Sequence, residues 1–433
     1  MKILILHKIP FSKVSYDQWI DHSACEVTYL GELQALSQIP PQLKHFTIGS
    51  IEEIRSRPDR IVALSEYDLM GAAMLREKYD VAGPRPDDVK VVRDKIVMKE
   101  AVARAGIRTP LACRLSDNPT AEKIANSHNG KIVLKPTDGA SSEGIRILEA
   151  ADWRETQPVI EESELHRYEI EEFVEGNIFH VDGFVDDGVL QRFIVSDYVG
   201  NCLDFAKGSP LGSYQHTDSQ AAMRRWISRI LSAVRINDGA FHLEGIRSTN
   251  GLVFLEIGHR VGGAGVAHTF QLRTGMSLYG LHVQSQLGVR KTRHTEKCDS
   301  RFYSWFVYPG HLRTDSPARV VGDSPSWRDV AWIHHHKPKR SSGVAGKISY
   351  QDADVPFSGE LAARDPLLLR NALEELFGKV KVEAALGLPG EQDESERGEE
   401  ALPRRLTKPT THPGMKRRDD QSQEASPNQP GLW

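Results

Sequence analysis

Two acidic residues set inside apolar runs point to the chemistry. Phe241-His242-Leu243-Glu244 and Phe254-Leu255-Glu256-Ile257-Gly258-His259-Arg260 are joined through Asn250-Gly251, a strong hairpin turn signal. Strand alternation places His242 and Glu244 on one face of the first run, and Glu256 and Gly258 on one face of the second. Two carboxylates on paired strands, among Leu243, Phe254 and Leu255, repel each other unless a cation lies between them. Hard carboxylate oxygens suit Mg²⁺ shared with substrate phosphates. Arg260 follows, then Gly262, Gly263 and Gly265, which together offer a fixed cationic fork and open backbone near a developing oxyanion. The glycine-rich turn has no evident structural motive. The competing reading is an exposed acidic hairpin face with an arginine partner.

Three further stretches suit phosphate groups. Lys135 ends the apolar run Ile132-Val133-Leu134 just before Pro136, and a charge there is costly unless paired. In Thr137 to Gly144, small residues allow close approach of backbone N–H groups, and Ser141 and Ser142 add hydroxyl donors. An ordinary Gly/Ser turn would have the same composition. Lys95 opens a helix after Pro84-Arg85-Pro86, where it can reach a phosphate as a point charge or stand on the surface. No GxxxxGK[ST] loop occurs, and Gly262 to Val266 fails the GxGxxG pattern.

These residues need elements to hold them. Strands are expected at Lys2–Leu6, Cys25–Leu30 and Arg60–Leu64, with a helix over 68–78, which favours a doubly wound parallel sheet. A helix over 94–105 ends at Gly106. Strands follow at 131–135, 169–174, 179–185, 241–246 and 252–257, an amphipathic helix at 221–234, and a helix at 366–377. From 391 the chain is rich in Pro, Glu, Arg, Lys, Ser and Gln and reads as a disordered tail. No internal repeat is present.

The chain has 433 residues and a formal net charge of −4, so no bulk attraction to nucleic acid or anionic lipid follows. Cys25, Cys113, Cys202 and Cys298 are scattered without a CxxC pair, which fits a reducing cytoplasmic setting. The apolar start ends at His7-Lys8, too short for a signal peptide core, and no run is long enough to span a bilayer.

Taken in order, Asp94-Lys95, Val133-Leu134-Lys135-Pro136, the Gly/Ser loop, Glu171-Glu172-Phe173-Val174-Glu175-Gly176, His242-Leu243-Glu244 and Leu255 to Arg260 resemble the ATP-grasp superfamily. The match is best to carboxylate–amine ligases, particularly bacterial L-amino acid ligases that make dipeptides. The resemblance implies an α/β (α+β) fold: an N-terminal doubly wound domain (1–92), small (93–174) and large (175–290) ATP-grasp subdomains, a C-terminal α/β segment (291–388) and the tail (389–433). It implies that Lys95, Lys135, Ser141 and Ser142 meet ATP phosphates, and that Glu171, Glu172, Phe173 and Val174 form the adenine hinge. Glu244 and Glu256 would hold Mg²⁺, or Mn²⁺ in its place, and Arg260 and Gly263 would line the acyl-phosphate pocket. The chain departs from the pattern twice. Ile178 stands where a ribose-binding Glu is common, leaving that role to His180 or Asp182, and Gly258 replaces a metal-site Asn.

The expected activity is ATP-dependent amide formation between a carboxylate, an L-amino acid, and the amine of a second amino acid, through an acyl phosphate with release of ADP and phosphate. Alternatives are a carboxylase or purine-pathway member, or a non-catalytic ATP-binding regulator. Partners are ATP and amino acids, not nucleic acid or membrane, and a homodimer is compatible with the reading. Three other stretches read two ways. Ser65 to Asp68 could reach the cleft but is preferred as a helix N-cap. Lys207 to Tyr214 is a substrate loop or a plain surface loop. His334-His335-His336 reads as an exposed basic turn rather than a metal site.

Overall fold

In the computed structural model the described residues run from 1 to 384, without 44, 47–56, 128–129, 140–141, 143, 154–159, 218–219, 290–298, 312–317, 337–347 and 351–353. Ser141, Cys298 and the tail from 389 therefore lie outside the described residues. Residues 1–386 form one compact unit.

The N-terminal sheet pairs β1 (Lys2–Leu6), β2 (Glu26–Leu30), β3 (His45–Phe46) and β4 (Arg60–Ala63), all parallel, in the order β3-β2-β1-β4. Alternation explains its continuous apolar runs, because both faces are covered. Ile3, Ile5, Val27, Tyr29 and Val62 pack with Val283 and Leu287 on one side. Leu4, Leu6, Leu30, Ile61 and Ala63 pack on the other against Ala72 and Leu75 of helix α1 (Leu69–Tyr79). Helices α2 (Pro86–Arg93) and α3 (Lys95–Arg104) lead out of this region. Asp94 separates them and caps α3, its carboxylate accepting from the N–H groups of Ile96 and Val97.

A four-stranded antiparallel sheet follows, with β5 (Ala112–Arg114), β6 (Lys131–Pro136), β7 (Arg146–Glu149) and β8 (Tyr168–Glu172) in the order β5-β8-β6-β7. Helix α4 (Asn118–Ser127) packs Ala121, Ile124 and Ala125 onto Ile132, Leu134 and Ile170.

The large sheet contains β9 (Asn177–Asp186), β10 (Val189–Val199), β11 (Leu211–His216), β12 (Gly239–Ser248), β13 (Gly251–Gly258) and β14 (Phe302–Tyr308). A small ribbon uses β15 (Ala318–Val321), while β16 (Val330–His336) and β17 (Phe357–Ala363) complete the large sheet, and β18 (Lys381–Ala384) pairs with β15. The large sheet runs β13-β12-β9-β10-β11-β14-β17-β16, each pair antiparallel. One face, with Phe179, Val181, Phe241, Leu243, Phe254 and Ile257, buries Ile227 and Ile230 of helix α5 (Gln220–Ala233) and Met98 and Val102 of α3. By alternation the opposite face carries His180, Asp182, His242 and Glu244. Helices α6 (Val266–Thr274) and α7 (Leu278–Gln286) follow the hairpin, and α8 (Pro366–Lys379) lies late in the chain. Among the described residues no helix is long and apolar enough to cross a membrane.

The fold is thus α/β, as expected, with most anticipated elements shifted only by a residue or two at their ends. Two expectations need correction. Leu211 to Tyr214 is strand β11 rather than loop. The three histidines end strand β16 instead of forming a turn, because their carbonyl edge pairs with β17.

Candidate active site

Register builds the first part of the site. Val133 stands opposite Glu171 and Lys135 opposite Glu169, while Ile132, Leu134 and Ile170 point into the small core. Lys135, Glu169 and Glu171 consequently emerge together on the other face. Lys99 of α3 meets them there. Its Nζ is 2.7 Å from Glu169 Oε1 and 2.9 Å from Glu171 Oε2. Lys135 Nζ lies 2.8 Å from Glu171 Oε1 and 3.5 Å from Glu169 Oε1. All four residues are buried. Burial opposes the charge on Lys135, but Glu171, Glu169 and Glu256 outweigh it and hold the proton well above the ordinary lysine range. Burial likewise opposes ionisation of Glu171, and Lys135 and Lys99 reverse it, keeping the carboxyl below its usual range. Sequence reasoning missed Lys99 and Glu169. The signals were there: Lys99 lies one helical turn after Lys95, and Glu169 is on the same strand face as Glu171.

The expected hinge begins where β8 ends. Glu172 accepts from Arg108 and from the Leu111 N–H at 3.1 Å, while Phe173 and Val174 fall in the link between the small and large sheets.

The second part is the hairpin of β12 and β13. Glu244 and Glu256 are directly opposite each other, as are His242 and Gly258. A register shift follows immediately after Glu244. Glu256 is the more open of the two, with a side chain 35% exposed against 14% for Glu244. Lys95 approaches from α3: its Nζ lies 3.5 Å from Glu256 Oε2 and donates to the carbonyl of Gly139 at 2.5 Å. It is buried, not a surface lysine, and it connects the Gly/Ser loop to Glu256. Glu244 Oε1 accepts from the Tyr198 hydroxyl at 2.7 Å and lies 3.5 Å from His242 Nε2.

The two carboxylates therefore already have protein cations beside them, which the repulsion argument left out. Burial disfavours a charged His242, but Asp182 at 2.8 Å and the bond to Glu244 overcome this and raise its pKa to about 9. At neutral pH it is an imidazolium between two acids.

His180 and Asp182 are inside this network. His180 shares its ring nitrogens between Asp182 Oδ2 and Ser213 Oγ, both at 2.6 Å. Both residues are almost fully buried. Burial works against ionised Asp182, yet His242 and His180 hold it below the ordinary carboxylate range.

The glycine-rich turn has a packing motive after all. A Cβ on Gly262 would come within 2.6 Å of Asp182 Oδ1 and 2.9 Å of His242 Nδ1, and one on Gly265 within 2.4 Å of the Trp305 Cβ. Gly263, by contrast, faces open space. Arg260 just before the turn donates from Nε to Glu66 Oε2 at 2.6 Å and from Nη1 to the Val261 carbonyl at 3.1 Å. Arg93 donates to the other Glu66 oxygen, and its Nη2 holds the Asp138 carbonyl at 2.6 Å. The segment 65–68 does open a helix with Ser65 at the N-cap position, as preferred. Ser65 makes no side-chain cap bond, and Glu66 reaches the cleft as the partner of Arg260. Burial would raise the Glu66 pKa, but Arg260 and Arg93 bring it down to about 2. Ser142 sits in the left-handed region at φ 59°.

Known proteins resemble the chain in part of its sequence and in its fold. Residues 129–268 match the model of the ATP-grasp domain family. No curated protein sequence matches the chain. Among solved structures, an L-amino acid ligase from Bacillus licheniformis aligns at 15% identity and TM-score 0.65, over 89% of this chain and 98% of its own. A carboxyaminoimidazole ribonucleotide synthase from Aspergillus clavatus, complexed with ATP, aligns at 14% and 0.62, over 87% and 97%. The biotin carboxylase domain of 2-oxoglutarate carboxylase from Hydrogenobacter thermophilus, a dimer with MgADP, ADP and bicarbonate, aligns at 14% and 0.57, over 88% and 90%. The chain shares their fold, and the stretch from 129 to 268 that matches the ATP-grasp domain model includes Lys135, Glu171, Glu244, Glu256 and Arg260.

Proposed function

We propose that the protein is an ATP-dependent carboxylate–amine ligase that joins two amino acids through an acyl phosphate. The carrying observation is that Glu244 and Glu256 stand opposite each other on neighbouring strands, with Lys95 Nζ 3.5 Å from Glu256 and the buried Lys135, paired with Glu171, close enough to feel the Glu256 charge. The donor set fits Mg²⁺, since both side chains offer hard oxygens, and the more open Glu256 makes its one ion pair among the described residues at 3.5 Å. When bound there with nucleotide, the ion would neutralise phosphate charge and polarise the terminal phosphoryl group.

The chain's own groups perform the rest. Lys95 and Lys135 would exchange carboxylate partners for ATP phosphates, which are acceptors of the same charge. The hinge from Glu171 to Val174 would hold the base, and His180 and Asp182 would orient the ribose side through His242. The substrate carboxylate attacks the γ-phosphorus, forming the acyl phosphate and releasing ADP. Arg260, fixed by Glu66, would face the charge on that group beside open Gly263. A neutral amine then attacks the acyl carbon and phosphate leaves, giving the amide. The segment from Thr137 to Gly144, held by Lys95 and Arg93, would exclude water from this intermediate. No residue need form a covalent bond.

The test is a screen of amino acid pairs for ATP-dependent phosphate release, with products identified by mass. A dipeptide from at least one pair is expected. Phosphate release driven by bicarbonate alone would instead place the chain with the carboxylases.

A further inference from the structure

A second group of metal-type donors contains none of the residues assigned to the nucleotide. His268 comes from α6, His334 from β16 and Glu360 from β17, and their ligand atoms all lie within 4.8 Å of one another. His268 Nδ1 is 2.6 Å from Glu360 Oε2, and His334 Nδ1 is 3.3 Å from the same oxygen. The three line a cavity of about 340 Å³, together with Gln271, Trp305 and Tyr279. Between His334 and His335 the fold selects His334. A register shift between Trp332 and His334 sets His334 opposite Glu360, while the His335 ring packs on Trp332 at 5.4 Å.

We infer that His268, His334 and Glu360 form a binding site for a single Zn²⁺-class transition metal ion, with an open coordination position toward the cavity. Two imidazoles and one carboxylate are the donor set of an open zinc site and a poor one for Mg²⁺, which prefers oxygen. Bonds of about 2.0–2.1 Å in tetrahedral array require donors roughly 3.3 Å apart. The His334 to Glu360 spacing already meets this. His268 must withdraw by about 0.7 Å on the same geometry. It can do so, because its side chain is 52% exposed while Glu360 is anchored at 4%. The ion takes the place of the proton in the His268–Glu360 hydrogen bond; a neutral imidazole then carries its proton on the far ring nitrogen, and an imidazolium releases one to solvent. Gly265 belongs to the same design, since a Cβ there would sit 3.2 Å from Glu360 Oε1.

Calorimetric titration of the metal-free full chain with ZnCl₂, in excess Mg²⁺ to fill acidic oxygen sites, tests this. One Zn²⁺ per chain is expected, with affinity lowered about tenfold or more in His268→Ala and in Glu360→Gln, and unchanged in His335→Ala. His268 is half-exposed, so its variant also controls for loss of fold. Absence of a stoichiometric site, binding that survives His268→Ala, or binding lost in His335→Ala would overturn the assignment, the last by showing that the triplet binds metal as a surface tag.

Discussion

Glu66 and Arg260 are 194 residues apart, and their bond at 2.6 Å ties the N-terminal α/β region to the turn beside the candidate metal carboxylates. Glu66 also accepts from Arg93, which holds Asp138 of the Gly/Ser loop. One carboxylate therefore orients Arg260 and the arginine that holds the Asp138 carbonyl. Glu66→Gln should lower stability by about 1–3 kcal/mol, because Arg260 and Arg93 lose their common acceptor charge. Urea unfolding measures this. Turnover should fall while ATP affinity stays within a few-fold, since Glu66 acts through Arg260.

The same contact gives a pH dependence. The Glu66 carboxyl is at about 2 in the folded chain against 4.5 unfolded. Its contribution is complete above 4.5 and is lost as pH falls through 2. The stability difference between wild type and Glu66→Gln should hold steady from neutral pH to about 5 and shrink below that. A difference that grows on acidification would contradict the pairing.

Lys99 carries a structural load that Lys135 alone cannot. Lys99→Met leaves Glu169 and Glu171 buried with one cation, and should cost about 3–5 kcal/mol. Adding Glu169→Gln removes the surplus charge and should restore part of that loss. A double variant no more stable than Lys99→Met would break the account of the cluster.

Lys95→Ala should weaken binding of a non-hydrolysable ATP analogue about ten- to a hundredfold, the loss of one charge-assisted contact. Calorimetry reads it directly. Unchanged affinity would remove Lys95 from the nucleotide site.

Most of the framework was legible because alternation is a local property. The runs around Lys135, His242 and Glu256 are apolar enough to mark strands, and alternation gave the faces of His242 and Glu244, although the irregularity after Glu244 interrupts it in β13. The long strands β10 and β11 were not anticipated. In β10 apolar Phe193 and Val195 are mixed with Arg192 and Asp197, and in β11 buried Ser213 and Gln215 conceal the strand. What could not be read locally was partnership. Nothing near Glu66 announces Arg260, nothing near His334 announces His268, and the motive for Gly262 is an Asp182 from another strand. Long-range packing decides these, and only the folded chain brings them together.

The acyl phosphate step is tested most directly by isotope transfer. Take an amino acid pair found active in the screen, label the carboxylate of the acyl donor with ¹⁸O, and analyse the released phosphate by mass. Attack of that carboxylate on the γ-phosphorus predicts one ¹⁸O in each phosphate formed, in step with amide product. Phosphate free of the label, with amide still formed, would contradict the account.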